Sequence, residues 1–347
     1  MSSSCLPREP MAAPFSKTAQ GATGVPLASA PAAGASKNHQ HVLSAMVNDG
    51  VVATSSVLLI GSFFWVPAYL YHVWRNKCKT RRRKALFLGC LVVCLTAPIP
   101  VNRRITRLPL WDRFWRYFSG SIVGESEACT GKQALFCLTP HGVFPFGVAL
   151  ASLGRANKAV FNAARPVCAS VILRTPIIGH IVRLIGAVGA SRATMDDALR
   201  EGHSLSLAPG GIGEMFLDGE AGKEFALIKG HKGFVRAAMA HGVPLVPVYV
   251  FGNSETFKRV PLPAALENLS RALKASLVLF WGRWGLPIPF KVPVTFAVGK
   301  PLDVEKNLSP SPEQVNAVHD RFCEALVDVF DRWKAEYGWG DKKLELR

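Results

Sequence analysis

Three short blocks of this sequence hold side chains whose types and spacing could do chemistry. His141 stands between Pro140 and Gly142, at the end of the apolar stretch 133–139. A strand-to-loop junction there can hold an imidazole at an edge, and an imidazole near its ordinary pKa suits general-base work. A histidine merely satisfied in a turn is the simpler account of that residue taken alone. The second block is Ala208-Pro209-Gly210-Gly211-Ile212-Gly213-Glu214, a glycine loop after a strand pattern and then a carboxylate. Such a loop lets main chain approach a substrate closely and can present N–H groups to a developing oxyanion; a plain glycine turn fits it equally well. In the third block, Lys229-Gly230-His231-Lys232-Gly233-Phe234-Val235-Arg236, Lys232 and Arg236 lie four apart on one face of a helix start, where free N–H groups attract phosphate. A solvated helix face explains such a pair as readily. Arg192, after Gly189-Ala190-Ser191, is a further anion contact of weaker signal.

Several motifs are missing. The sequence has no HExxH, no GxxxxGK[ST] and no GxSxG; Gly202-His203-Ser204-Leu205-Ser206 begins like a nucleophile elbow but carries Ser where the second glycine belongs. A covalent serine mechanism is therefore disfavoured. The eight cysteines form no CxxC pair, which gives neither a zinc ribbon nor a disulfide framework.

The 347 residues are 49% hydrophobic and 19% charged, enough for one large domain with an appendage and too apolar for a disordered chain. Of the formal charge of +17, residues 75–116 hold twelve Lys/Arg against one acid, or +11. That cluster abuts the uncharged run 51–74, as expected beside an anionic leaflet and unlike a nucleic-acid-binding face. The run has 24 residues, enough to span a bilayer, with Trp65, Tyr69, Tyr71 and Trp74 crowding its second half. A second uncharged run, 85–101, has 17 residues and carries Pro98 and Pro100. The expected arrangement is one crossing helix at 51–74 and a re-entrant or second spanning segment at 85–101. Residues 1–48, rich in Ser, Ala, Gly and Pro, read as a disordered tail.

From about residue 130 the pattern alternates. Strands are expected at 133–139, 167–173, 203–208 and 244–251, with helices at 176–186 and 231–241 between them. This is an α/β domain with a parallel or mixed sheet. The final helix opens on Ser311-Pro312-Glu313-Gln314, a capping box with proline at its first position, and ends at Gly338. The amphipathic stretch 264–281, with Trp284 beyond it, suits either a bilayer surface or the domain core.

Taken in order, these blocks resemble the type-2 diacylglycerol acyltransferase family, which includes monoacylglycerol and wax-ester acyltransferases. The resemblance rests on Pro140-His141-Gly142, Gly189-Ala190-Ser191-Arg192, Pro209-Gly210-Gly211 with Glu214, and Lys232-Gly233-Phe234. It continues through Leu245-Val246-Pro247, Phe251-Gly252, Val298-Gly299-Lys300-Pro301 and the closing helix. Two blocks depart: Thr139 stands where the family's usual block opens on histidine, and Ser119 where its Tyr-Phe-Pro block has proline.

The resemblance implies a mixed-sheet, glycerolipid-acyltransferase-like domain over residues 102–347 behind an N-terminal membrane anchor. It implies transfer of a fatty acyl group from acyl-CoA to the free hydroxyl of diacylglycerol, at the cytosolic face of the endoplasmic reticulum membrane, with lipid droplets as a further location. Acyl-CoA is then a substrate, and no cofactor or metal is called for, because the thioester is already activated. On this reading His141 is the general base and Glu214 supports it. Gly142, Gly210 and Gly211 offer N–H groups to the oxyanion, while Lys232, Arg236 and Arg192 hold the phosphates of CoA. Monoacylglycerol, wax-alcohol or sterol acceptors, a catalytically silent lipid-binding protein and a homo-oligomer stay open as alternatives.

Overall fold

The computed structural model describes residues 35–217, 220–261 and 278–347. Its helices are α1 Ala35–Leu59, α2 Ser62–Asn76, α3 Arg81–Thr96, α4 Pro109–Tyr117, α5 Phe146–Ser152, α6 Arg155–Val160, α7 Ser170–Leu173, α8 Ile178–Leu184, α9 Arg192–Arg200, α10 Gly233–His241 and α11 Pro312–Tyr337. Its strands are β1 Ser121–Gly124, β2 Leu135–Thr139, β3 Arg165–Cys168, β4 Val188–Gly189, β5 Leu205–Leu207, β6 Lys223–Ala226, β7 Leu245–Phe251, β8 Lys258–Arg259, β9 Phe280–Trp281, β10 Thr295–Val298 and β11 Lys343–Leu346.

Among the described residues, seven strands form the main sheet in the order β1-β10-β7-β2-β5-β3-β4. From β7 to β4 the strands run parallel, whereas β10 is antiparallel to β7 and β1 follows β10. The sheet is thus mixed, as the alternation of the sequence suggests. A parallel strand covered on both faces must be apolar throughout, and β2 and β7 are buried along their whole length. Phe136, Leu138, Val246, Val248 and Val250 join one core with Val52, Phe114 and Phe146. Leu135, Cys137, Leu245, Tyr249 and Phe251 join the other, with Phe234 and Ala238 of α10 and Phe322, Leu326 and Phe330 of α11. Helix α11 begins with the expected capping box at Ser311 and Gln314, and it ends at Gly338 with φ 91°.

The region ahead of the sheet differs from expectation. Residues 35–48 are helical and form the first part of α1; residues 1–34 lie outside the described residues. The uncharged run 51–74 is two helices, parted at Ile60–Gly61, where both amides turn back onto the carbonyl of Ser56 at 2.8 and 3.0 Å. A Cβ on Gly61 would stand 2.2 Å from the Val57 carbonyl oxygen, so the break takes glycine. Among the described residues, the helix long and apolar enough to cross a membrane therefore has its apolar window at Val42–Leu59, with mean hydropathy 1.5. Val52 on its inner face and Ile60 just past its end are buried in the domain core. Asn48 donates to the Arg113 carbonyl at 3.3 Å, and Asp49 pairs with Lys291 at 3.0 Å and Arg283 at 3.4 Å. The second uncharged run lies mostly in α3, whose Leu86, Leu88, Val92 and Val93 are exposed. The basic residues Lys77, Lys79 and Arg81–Lys84 occupy the exposed turn between α2 and α3 and the start of α3.

One expected strand is also corrected. The segment 167–173 is extended only to Cys168, after which Ser170–Leu173 make a short helix. The amphipathic stretch at 264–281 falls, through residue 277, outside the described residues.

Candidate active site

Three neighbouring strands of the sheet, β7, β2 and β5, deliver three loops to one edge, the carboxyl ends where α/β sheets hold ligands. From β2, in the centre, comes Pro140-His141-Gly142. From β5 comes the glycine loop that leads to Glu214, and from β7 comes Gly252-Asn253.

The His141 ring is half-buried. Its Nδ1 lies 2.8 Å from the carbonyl oxygen of Gly142. A carbonyl only accepts, so Nδ1 carries the proton and, among the described residues, Nε2 keeps a free lone pair. Burial pushes the imidazole below its ordinary pKa of 6.5, and the bond to Gly142 partly offsets that shift. The ring is therefore neutral at pH 7 and able to accept a proton. Gly142 has φ 63°, and a Cβ there would lie 2.9 Å from the carbonyl oxygen of Asn253, so this turn needs glycine.

The buried carboxylate of Glu214 holds the main chain of this loop. It accepts the backbone N–H of His141 and, on its other oxygen, that of Leu227 at 2.9 Å. The sequence suggests support for the imidazole; the contact formed is to the peptide N–H. Burial pushes the carboxyl up to about 7, and the two N–H bonds pull against that rise. A Cβ on Gly210 would stand 2.3 Å from Glu214 Oε1, which explains a glycine where the carboxylate folds back.

Asn253, fully buried, holds the loop from the other side. Its Nδ2 donates to the carbonyls of Pro140 at 2.9 Å and His141 at 2.8 Å, while Oδ1 accepts from Gly147 at 3.3 Å. Sequence reasoning missed this residue; asparagine after a glycine reads locally as a turn. Thr139 is buried at the end of β2, with its hydroxyl unpartnered among the described residues.

Of the expected oxyanion donors, the N–H of Gly211 is already given to Ala208 at 3.0 Å. Among the described residues no acceptor faces the N–H of Gly142 or Gly210. The amino end of α10 opens at the same edge of the sheet, because β7, which follows it, runs parallel to β2. There Lys232 Nζ donates to Asn316 at 2.6 Å, and Arg236 is exposed one turn further on. Arg192 pairs with Asp196 at 3.5 Å at the end of β4, three strand spacings from β2, roughly 14 Å. The structure thus joins His141, Gly142, Gly210 and Glu214 in one site and spreads the three basic residues around its edge. Beside the site, Met215, Phe216 and Val278 make a small apolar cluster, against which Val143, Ile212 and Phe280 pack.

Comparison with known proteins identifies a family. The family model described as "Diacylglycerol acyltransferase" matches residues 87–347, beginning within α3. Diacylglycerol O-acyltransferase 2 of Homo sapiens is 28% identical over 324 residues, covering 86% of this chain and 78% of that protein. Acyl-CoA wax alcohol acyltransferase 2 of Homo sapiens is 26% identical, covering 87% and 92%. The 2-acylglycerol O-acyltransferase 1 of Bos taurus is 30% identical, covering 66% and 73%. The crystal structure of the 1-acyl-sn-glycerophosphate (LPA) acyltransferase PlsC from Thermotoga maritima is similar with a TM-score of 0.42 at 12% identity, covering 82% of this chain and 96% of that one. With its family model matched over 261 residues and its site built on the ends of three core strands, the chain belongs to the diacylglycerol acyltransferase family and is an acyltransferase.

Proposed function

We propose that this acyltransferase moves a fatty acyl group from acyl-CoA to the free hydroxyl of diacylglycerol, by direct transfer, with His141 as general base. The observation that carries the proposal is the state of that ring: neutral, half-buried, with Nδ1 committed to Gly142 and Nε2 free. An alcohol is a poor nucleophile at neutral pH. As its oxygen attacks the thioester carbonyl, Nε2 takes the proton. The tetrahedral oxyanion then collapses, the C–S bond breaks, and the imidazolium returns the proton to the departing thiolate. Help of this kind accelerates a reaction by about 10²–10⁴.

The N–H groups of Gly142 and Gly210 are the donors placed to meet the oxyanion. Glu214 acts through the main chain of the His141 loop. The apolar side chains of Val143, Ile212 and Phe216 beside it suit an acyl chain or a lipid acceptor. Lys232, Arg236 and Arg192 are the basic groups at this edge for the phosphates of CoA. The exposed apolar faces of α1 and α3, with the basic turn ahead of α3, suit a bilayer with an anionic leaflet and so support a reaction at a membrane, read here as that of the endoplasmic reticulum.

The test incubates membranes carrying the full chain with labelled oleoyl-CoA and a panel of acceptors: diacylglycerol, monoacylglycerol, a long-chain alcohol and a sterol. Triacylglycerol as the dominant labelled product is the expected result. A wax ester or diacylglycerol as the dominant product would reassign the acceptor, and absence of every product would leave a lipid-binding protein. A stable acyl-enzyme after acyl-CoA alone would overturn direct transfer.

A further inference from the structure

We propose that a cavity at the opposite end of the sheet from His141 is an anion site for a phosphate monoester. It measures about 450 Å³ and is lined by Arg103, Arg104, Arg165 and His203, with Val101, Asn102, Ile185 and Gly186 completing the wall. Arg165 opens β3 and His203 lies just ahead of β5, so the cavity sits at the amino ends of these parallel strands. His141 follows the carboxyl end of β2, one strand of five residues away, roughly 16 Å. The two sites share no lining residue, and this inference does not rest on the mechanism at His141.

Arg165 is held in place without being neutralised. Arg165 Nε donates to the carbonyl of Gly186 at 2.6 Å, which fixes the plane of the guanidinium. Its terminal NH1 stands 3.7 Å from Glu201, too far for a good hydrogen bond. The same carboxylate lies 3.4 Å from His203 Nε2 and is itself mostly exposed. One solvated acid therefore stands beside Arg165 and His203, and no acid is among the residues that line the cavity. Burial first, and then the repulsion of Arg165 and Arg103, lowers the pKa of His203, with Glu201 pulling the other way. Guanidinium groups bind phosphate through paired N–H donors, which makes a phosphate the natural complement.

Position along the chain favours a lipid headgroup as the source. The exposed apolar side chains of Val92, Val93 and Val101 run directly up to Arg103, so the arginines stand where that apolar surface ends. This is the depth at which a headgroup phosphate meets an embedded helix. A soluble phosphate offers the same chemistry, and the test separates the two.

The purified full chain in detergent is titrated with inorganic phosphate, short-chain phosphatidate and short-chain phosphatidylcholine, and its thermal midpoint is followed. The expected result is stabilisation by phosphatidate and phosphate, and none by phosphatidylcholine. The exposed pair R103E/R104E, or the milder R103Q/R104Q, should weaken anion binding by about tenfold or more while leaving the ligand-free midpoint unchanged. Phosphatidate binding about tenfold tighter than phosphate identifies a lipid headgroup as the occupant; equal affinities identify a soluble phosphate. Failure of both anions to stabilise the chain, unchanged affinity in both variants, or equal binding of phosphatidylcholine would overturn the proposal.

Discussion

Glu214 grips His141 by its peptide N–H, while the ring of the same histidine turns to donate from Nδ1 to the Gly142 carbonyl at 2.8 Å. The carboxylate therefore fixes where the imidazole sits, and the neighbouring carbonyl fixes which nitrogen is free. Position and tautomer are set by separate contacts, so they can be perturbed separately.

Replacing His141 by Ala should lower kcat by about 10²–10⁴. The loop should survive, because its contacts to Glu214 and Asn253 are made by main chain. Product formation from labelled acyl-CoA, measured beside the amount of protein recovered in membranes, checks this. Turnover at the wild-type rate would remove the imidazole from the mechanism.

Glu214→Gln should change the pH profile as well as the rate. As a carboxylate, Glu214 accepts both N–H groups; once protonated, one oxygen becomes a donor facing a donor. Its folded pKa is raised to about 7, so the wild-type acid limb should lie near pH 7, above the lowered pKa of His141. In the Gln variant kcat should fall and the acid limb should move below pH 6.5, where only His141 titrates. The same raised pKa makes wild-type stability decline as pH rises from about 4.5 to about 7, because the unfolded chain ionises first. Denaturant midpoints across that range should show the decline in wild type and lose it in the variant.

Asn253→Ala should destabilise the protein by about 3 kcal/mol, since it strands two carbonyls and an N–H in a buried site. Asn253→Asp should be worse, because it turns a carboxylate oxygen toward those carbonyls. Thermal midpoints rank the two variants, and a kcat loss larger than the stability loss alone would mark the residue as positioning His141.

Thr139→Val should be neutral or stabilising by about 1 kcal/mol, because it removes a buried hydroxyl that has no partner and keeps its shape. Unchanged kcat/KM is expected. A loss of activity would show that the hydroxyl takes part in catalysis, where the related block carries histidine.

Much of this site is legible in the sequence because buried parallel strands are short apolar runs closed by turn residues. That rule locates His141 after β2 and the glycine loop after β5 without any tertiary information. Asn253 is different: its function depends on β7 lying beside β2, a pairing of residues more than a hundred positions apart. Local pattern carries no such signal. The break at Gly61 is masked for a similar reason, since 24 uncharged residues look continuous until the chain must turn to bury Val52 and Ile60. At 167–173 the β-branched run suggests extension, and the fold converts its second half to helix after Cys168.

The inner face of α1 carries one more consequence. Val52 and Ile60 fill the same core as Phe114 and Phe146, and Asp49 is pinned to Lys291 and Arg283. Trimming the chain to begin at residue 62, in search of a water-soluble fragment, would remove a wall of the domain. If α1 is embedded as proposed, tilt imposed on it by a thicker or thinner bilayer would be felt directly by the core beneath the sheet.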